Sequence, residues 1–444
     1  MILALATHPP AHGQAIPGSQ ADATSPAGPI VITLEEAIRR AEAKEPQFAA
    51  ALADSRSAGL ERSIARAGLL PSAVYHNQAL YTQANGQRNQ AGQGVGSQPS
   101  PKFIANNAVR EYASQAQINE TMGLAGLAGL RRADAEAARA SAELEVARRG
   151  LAAAVSSLYY GVVASDSKLA IADRAHVEAA DFTTLTAKRE QARESAHADV
   201  VKAQLLEQLR ERDLSDARVA AEKARLELGV LLFPDPRTPY TVSSADVAGP
   251  LAARAQVEEA AGKYSPELNS ALAVLSASNA DVLSARAAYL PDLGLNVTYG
   301  IDAPQFAVNG PDHVRNLGYS ASVTLDIPVW DWLSTQHKVK QTEIRRDAAK
   351  VALTATQRRL IARLDEAYSE AQAARDQLAS LDASVTTAAE SLRLTRLRYA
   401  EGEATVLEVV DAQTAFVSAE NAREDGRTRY QAARADLQTL TGTI

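Results

Sequence analysis

The chain has 444 residues, 46% hydrophobic yet only 5% aromatic, and its apolar set is dominated by Ala, which suits closely packed helices better than a large globular core. A net charge of −7 offers no basic face to neutralise phosphates, which excludes nucleic acid as a partner. The absence of Cys removes disulfides, thiolate metal sites, thiol nucleophiles and a lipid-anchored N-terminal Cys.

No apolar run reaches the length of a membrane-spanning helix. Residues 1–30 form a leader. Met1–Ala6 followed by Ala11-His12-Gly13-Gln14-Ala15 reads either as the tail of a secretory signal without its basic region or as a plain disordered leader. Residues 16–29, rich in Pro, Gly, Ser and Ala, read as a flexible tail.

The remainder reads as two copies of one pattern, 31–240 and 241–444. Pro46 and Pro266 lie 220 residues apart, as do Pro71 and Pro291. Between them, Ala51-Leu52-Ala53 falls on Ala271-Leu272-Ala273, and Ala65-Arg66-Ala67 on Ala285-Arg286-Ala287. Each pair of prolines brackets a helix of about 25 residues, opened by Pro at its first turn and closed by Leu-Pro. Further on, Asp199–Gln204 matches Glu408–Gln413 at an offset of 209, so the first copy carries a longer insertion. The Gln-, Gly-, Asn- and Ser-rich stretch Ala84–Pro101 is its natural place, in an exposed loop.

After each Leu-Pro the period changes from helix to strand. Leu293, Leu295, Val297, Tyr299 and Ile301 alternate with small and polar residues, and so do Tyr319, Ala321, Val323, Leu325 and Ile327. Period 2 over this length fits a tilted strand crossing a bilayer, and it also fits a half-buried hairpin of a soluble protein. Trp330 and Trp332 follow where interfacial aromatics would sit. In the first copy the alternation is poorer. Tyr112, Ala116 and Ile118 mix with Arg110, Glu111 and Gln115, and strands at about 72–83 and 108–120 are expected by analogy with 293–302 and 317–328.

Long helices come next. Leu360, Leu364, Ala367, Ala371, Ala374, Leu378, Leu381, Val385, Ala388 and Leu392 form an unbroken heptad seam. Ala137, Ala140, Leu144, Ala147, Leu151, Ala154 and Leu158 repeat it in the first copy. No Pro or Gly interrupts Ser334–Arg398, which predicts a rod on the order of 100 Å. Such a rod must be covered by neighbouring helices.

One chain offers only four candidate membrane strands, whereas closed barrels start at about eight. Open edges in lipid leave backbone groups unpaired, so copies must assemble; three would supply twelve strands. These features resemble the TolC-like outer membrane efflux proteins over roughly residues 31–443. The resemblance rests on the duplicated Leu-Pro, on Leu293–Ile301, on Asp326-Ile327-Pro328, and on Arg398-Tyr399-x-x-Gly402 running into Leu407–Gln413. It implies a mainly α chain with a transmembrane β portion. Long antiparallel helices would form a periplasmic α-barrel, and four strands per chain a 12-stranded trimeric β-barrel. It further implies an outer membrane location reaching into the periplasm, no enzymatic activity, no cofactor, a periplasmic adaptor protein and an inner-membrane pump or ABC exporter as partners.

The same resemblance assigns roles to residues. Glu408 and Asp411, three apart on one helix face, would line a pore constriction at the periplasmic tip; the alternative is two solvated charges. Asp199 and Tyr399 would belong to the gate. Gly402 and Arg398 would form the adaptor-docking turn. The family commonly places a basic residue in the gate network where this chain has Ala404, and Arg193 stands where the second copy has Gly402.

Other signals are weak. Gly92-x-Gly94-x-Gly96 lacks the following helix and Lys of a phosphate cradle. No His pair or carboxylate–His group has metal-ligand spacing, and no catalytic arrangement stands out. The expected function is the outer membrane duct of a tripartite efflux system. The alternatives are the outer channel of a type I protein secretion system and, from another class, a soluble coiled-coil scaffold.

Overall fold

The computed structural model describes residues 30–81, 110–243, 250–310 and 315–442. The leader, the Ala84–Pro101 stretch and its Gly92-x-Gly94-x-Gly96 run lie outside the described residues. The first half runs β1 (Ile30–Ile32), α1 (Leu34–Glu42), α2 (Pro46–Ala67), β2 (Ser72–Tyr81), β3 (Arg110–Met122), α3 (Leu124–Gln191) and α4 (His197–Leu232). The second runs β4 (Tyr240–Val242), α5 (Arg254–Tyr264), α6 (Pro266–Ala287), β5 (Asp292–Ala303), β6 (Leu317–Asp326), α7 (Ser334–Ala400) and α8 (Val406–Thr441).

The prolines act where the sequence predicts. Pro46 and Pro266 sit in the first turns of α2 and α6, where a missing N–H costs nothing. Ser265 caps α6 by accepting the Leu268 N–H at 3.2 Å. Both helices end three residues sooner than Leu70 and Leu290, because Gly68 to Leu70 and Ala288 to Leu290 turn the chain into the strands.

The four longer strands form one antiparallel sheet in the order β2-β3-β5-β6. Its register explains the weak pattern of β3. Val297 lies opposite both Ile118 and Ala321, and Tyr299 opposite both Ala116 and Tyr319. Directly paired residues share a face, so Tyr112, Ala116, Ile118 and Met122 fall on the apolar face of β5 and β6. Glu111, Gln115 and Gln117 fall on the other face with Thr298 and Asp302. Among the described residues, β2 and β6 are the open edges.

Beneath the sheet, α3 packs between α2 and α6, and α6 packs against α7. Further along, α4 lies beside α3, while α8 lies beside both α7 and α3. Every member of the α7 seam from Leu360 to Leu392 is buried or half-buried. Gly426 of α8 lets the seam close, because a Cβ there would collide with the Leu381 side chain. In α3 the expected seam fails at Ala154, which is exposed. Ala152, Val155, Tyr159 and Val162 are buried instead, because this stretch faces a core of its own rather than a single partner helix.

That core joins Ile32, Ala37, Val155, Tyr159, Leu228, Leu232 and Tyr240. β1 and β4 pair in parallel across it, Ile30 opposite Tyr240. The Tyr159 hydroxyl donates to the Ser243 carbonyl at 2.7 Å, with the Ile32 carbonyl at 3.1 Å alongside. Burial pushes the Tyr240 phenol up to about 12, against the pull of the Arg225 guanidinium, so it stays a neutral donor to the Arg225 carbonyl at 2.7 Å. No helix among the described residues is long and apolar enough to cross a membrane.

Candidate functional site at the helical tip

The sequence-predicted residues separate to the two ends of α7. Trp330 and Trp332 sit at the junction of β6 and α7, ring centres 5.8 Å apart and edge to face. Both are exposed, Trp332 to 84%. Trp332 and Leu333 take left-handed backbone angles there, turning the strand sharply into the helix. The 67 residues of α7 then carry the chain roughly 100 Å from this junction to the turn at Gly402.

At that far end two helix-to-helix turns share one geometry. In the α7–α8 turn, the Glu403 N–H donates to the Arg398 carbonyl at 2.8 Å and the Gly402 N–H to the Tyr399 carbonyl at 3.1 Å. In the α3–α4 turn, the Glu194 N–H donates to the Arg189 carbonyl and the Arg193 N–H to the Glu190 carbonyl, both at 2.8 Å. Each closes a helix with a left-handed residue, Gly402 at φ 80° and Arg193 at φ 62°. Glycine holds this angle freely, whereas arginine is strained there by about 1 kcal/mol. Arg193→Gly should therefore stabilise the protein, and Gly402→Ala, though its Cβ meets open space, should destabilise it by a similar amount. Thermal melting followed by circular dichroism checks this; shifts of the same sign would contradict it.

Tyr399 is 6% exposed and lies in a cluster with Phe182 and Ala203 of the α3–α4 arm and with Val406 and Val409 of α8. Its ring centre is 5.3 Å from that of Phe182, and its hydroxyl is 3.4 Å from the Thr186 hydroxyl. Ala404 packs against the same cluster. Asp199, in the first turn of α4, accepts from the Ser195 hydroxyl at 3.3 Å. Glu408 helps to start α8 through a capping box. Its carboxylate accepts the Thr405 N–H at 2.8 Å, while the Thr405 hydroxyl accepts the Glu408 N–H at 3.3 Å. Both Glu408 and Asp411 are exposed. Arg398 folds back on its own turn and donates to the Glu403 carbonyl at 3.1 Å.

Sequence reasoning missed Arg189. It stacks on the Tyr399 ring, 4.8 Å from the ring centre, and donates to the Tyr399 and Ala400 carbonyls. A signal existed: at the offset of 209, Arg189 is the counterpart of Arg398. Among the described residues no group of three or more His, Asp or Glu side chains converges as a metal site.

Residues 257–443 match the family described as outer membrane efflux protein. Over 177 residues the chain is 28% identical to outer membrane protein OprJ of Pseudomonas aeruginosa, a match covering 40% of this chain and 36% of that one. It is also 28% identical to protein CyaE of Bordetella pertussis over 453 residues, covering 98% of this chain and 88% of that protein. The match to OprJ thus spans about a third of that relative, and the match to CyaE spans most of it. Among solved structures, the CmeC outer membrane channel of Campylobacter jejuni has a TM-score of 0.75 at 15% identity, over 92% of this chain and 85% of that one. This likeness gives the fold.

Proposed function

We propose that this chain, whose residues 257–443 match the outer membrane efflux protein family, is one subunit of a homotrimeric export duct in a tripartite efflux system. It is an outer membrane protein that extends into the periplasm and is not an enzyme. The observation that carries the proposal is the sheet. Four strands end in two open edges, β2 and β6, and its apolar face is exposed, Tyr319 to 83%. A soluble coiled-coil scaffold has no use for such a face. Three copies pairing β6 with β2 of the next chain close twelve strands and leave no edge in lipid.

Residues 31–240 and 241–444 are then a duplicated unit. The equal lengths of α2 and α6, 22 residues each, and of α4 and α8, 36 each, support this. The helices continue the barrel as a tube ending at the Gly402 and Arg193 turns, where a periplasmic adaptor docks, with Arg398 and Gly402 in the contact. Trp330 and Trp332 mark the membrane interface below the strands. Glu408 and Asp411 from three copies ring the tip and favour cations over anions. Asp199 and Tyr399 belong to the gate. The cargo class is small toxic molecules or metal ions, selected by an inner-membrane pump.

Purified full-length protein in a planar bilayer tests the duct. It should conduct with cation selectivity, and Glu408→Gln with Asp411→Asn should remove the selectivity. A pore indifferent to both substitutions would overturn their assignment. Deleting the gene should make small toxic compounds accumulate in the cell; secreted protein accumulating instead would favour type I secretion with an ABC exporter.

A further inference from the structure

Arg189 is the basic side chain that bridges the two tip turns. Its Nη1 donates to the Tyr399 carbonyl oxygen, its Nη2 donates to the Ala400 carbonyl at 3.3 Å, and its guanidinium lies over the Tyr399 ring. Its Nε also stands 3.5 Å from the Glu194 carboxylate of its own turn. The side chain is only 19% exposed. These contacts bring a cation to the C-terminal end of α7, where the helix presents carbonyl oxygens and the negative end of its dipole. Charge-assisted bonds in a half-buried setting are stronger than ordinary ones. Its counterpart Arg398 makes no such crossing and bonds within its own turn.

We infer that Arg189 is a positioning residue of the gate, a latch that holds the α7–α8 hairpin against α3. The inference rests on the proposed duct. Any widening of the tip that swings the α7–α8 hairpin away from α3 must break both of its bonds to α7 and unstack Tyr399. A second link joins the same helices further from the turn, Arg396 to Glu178 at 2.5 Å, but its side chains are 40% and 38% exposed, about twice as much as that of Arg189, so solvent screens it more and its contribution is smaller.

Planar-bilayer recording of full-length wild type, Arg189→Gln, Arg189→Lys and Arg396→Gln tests the latch, with oligomer heat stability as the check on assembly. Arg189→Gln should raise the open fraction by about tenfold or more. Arg189→Lys, which keeps the charge but loses the fork that reaches two carbonyls, should fall between. Arg396→Gln should match wild type. If Arg189→Gln does not assemble, Arg189→Lys decides: an open fraction above wild type supports the latch. Open fractions equal to wild type in both Arg189 variants, or an equal rise in Arg396→Gln, would overturn the latch and leave the duct standing. A wild-type protein that forms no conducting pore would sink the duct itself.

Discussion

Val297→Arg should prevent the protein from accumulating as an assembled oligomer in the outer membrane, whereas Thr298→Arg, one residue later, should be tolerated. The register decides this. Val297 pairs with Ile118 on one side and Ala321 on the other, at the centre of the apolar face. Thr298 pairs with Gln117 and Ser320 on the opposite face. A basic side chain on the lipid face near mid-bilayer costs about 2–4 kcal/mol, and in a trimer the penalty is incurred in every subunit. On the opposite face, the lumen side of the proposed barrel, the same charge is solvated. Fractionation and heat-modifiability on gels would read the difference. If the hairpin instead lay half-exposed on a soluble scaffold, both substitutions would be nearly neutral, since Val297 is already partly exposed in the single chain.

Tyr159→Ala should be the most damaging single truncation in the helical part. The side chain is 1% exposed, and its ring lies in the core that ties α3 to α4, α1 and the β1–β4 pair. Losing a buried aromatic costs about 3–5 kcal/mol through transfer and cavity terms together. The hydroxyl adds to this, because its removal leaves the Ser243 carbonyl without that donor. Tyr159→Phe isolates the second part and should cost about 1–2 kcal/mol. Chemical denaturation of both variants checks the order. A Phe variant as unstable as the Ala variant would show that the hydroxyl, not the ring, dominates.

The parts of the fold that could be read from the sequence are those where one residue after another obeys a single period. The α7 seam is buried or half-buried at every expected position because one helix face meets neighbours along its whole length. β5 and β6 were legible for the same reason at period 2. β3 was not, because its apolar face is interrupted by Ser114 and Glu120; only its pairing with β5 shows which residues share a side. The α3 seam fails at Ala154 because that stretch turns a different face to the local core. β1, β4, α1 and α5 were invisible. A three-residue strand has no period, and its partner lies about two hundred residues away. At the tip, Arg193 shows that a left-handed turn can form without glycine, and Arg189 shows that a contact between two hairpins is marked only by the repeat, as the counterpart of Arg398, and not by the residues around it.

Among the described residues a single chain leaves β2 and β6 unpaired, and in the proposed assembly copies of it meet at these edges around a common lumen. The mass of the full-length protein, extracted from outer membranes in mild detergent and corrected for bound detergent, tests it most directly. A species of three chains is the expected result; a monodisperse single chain that stays in solution after the detergent is withdrawn would contradict it.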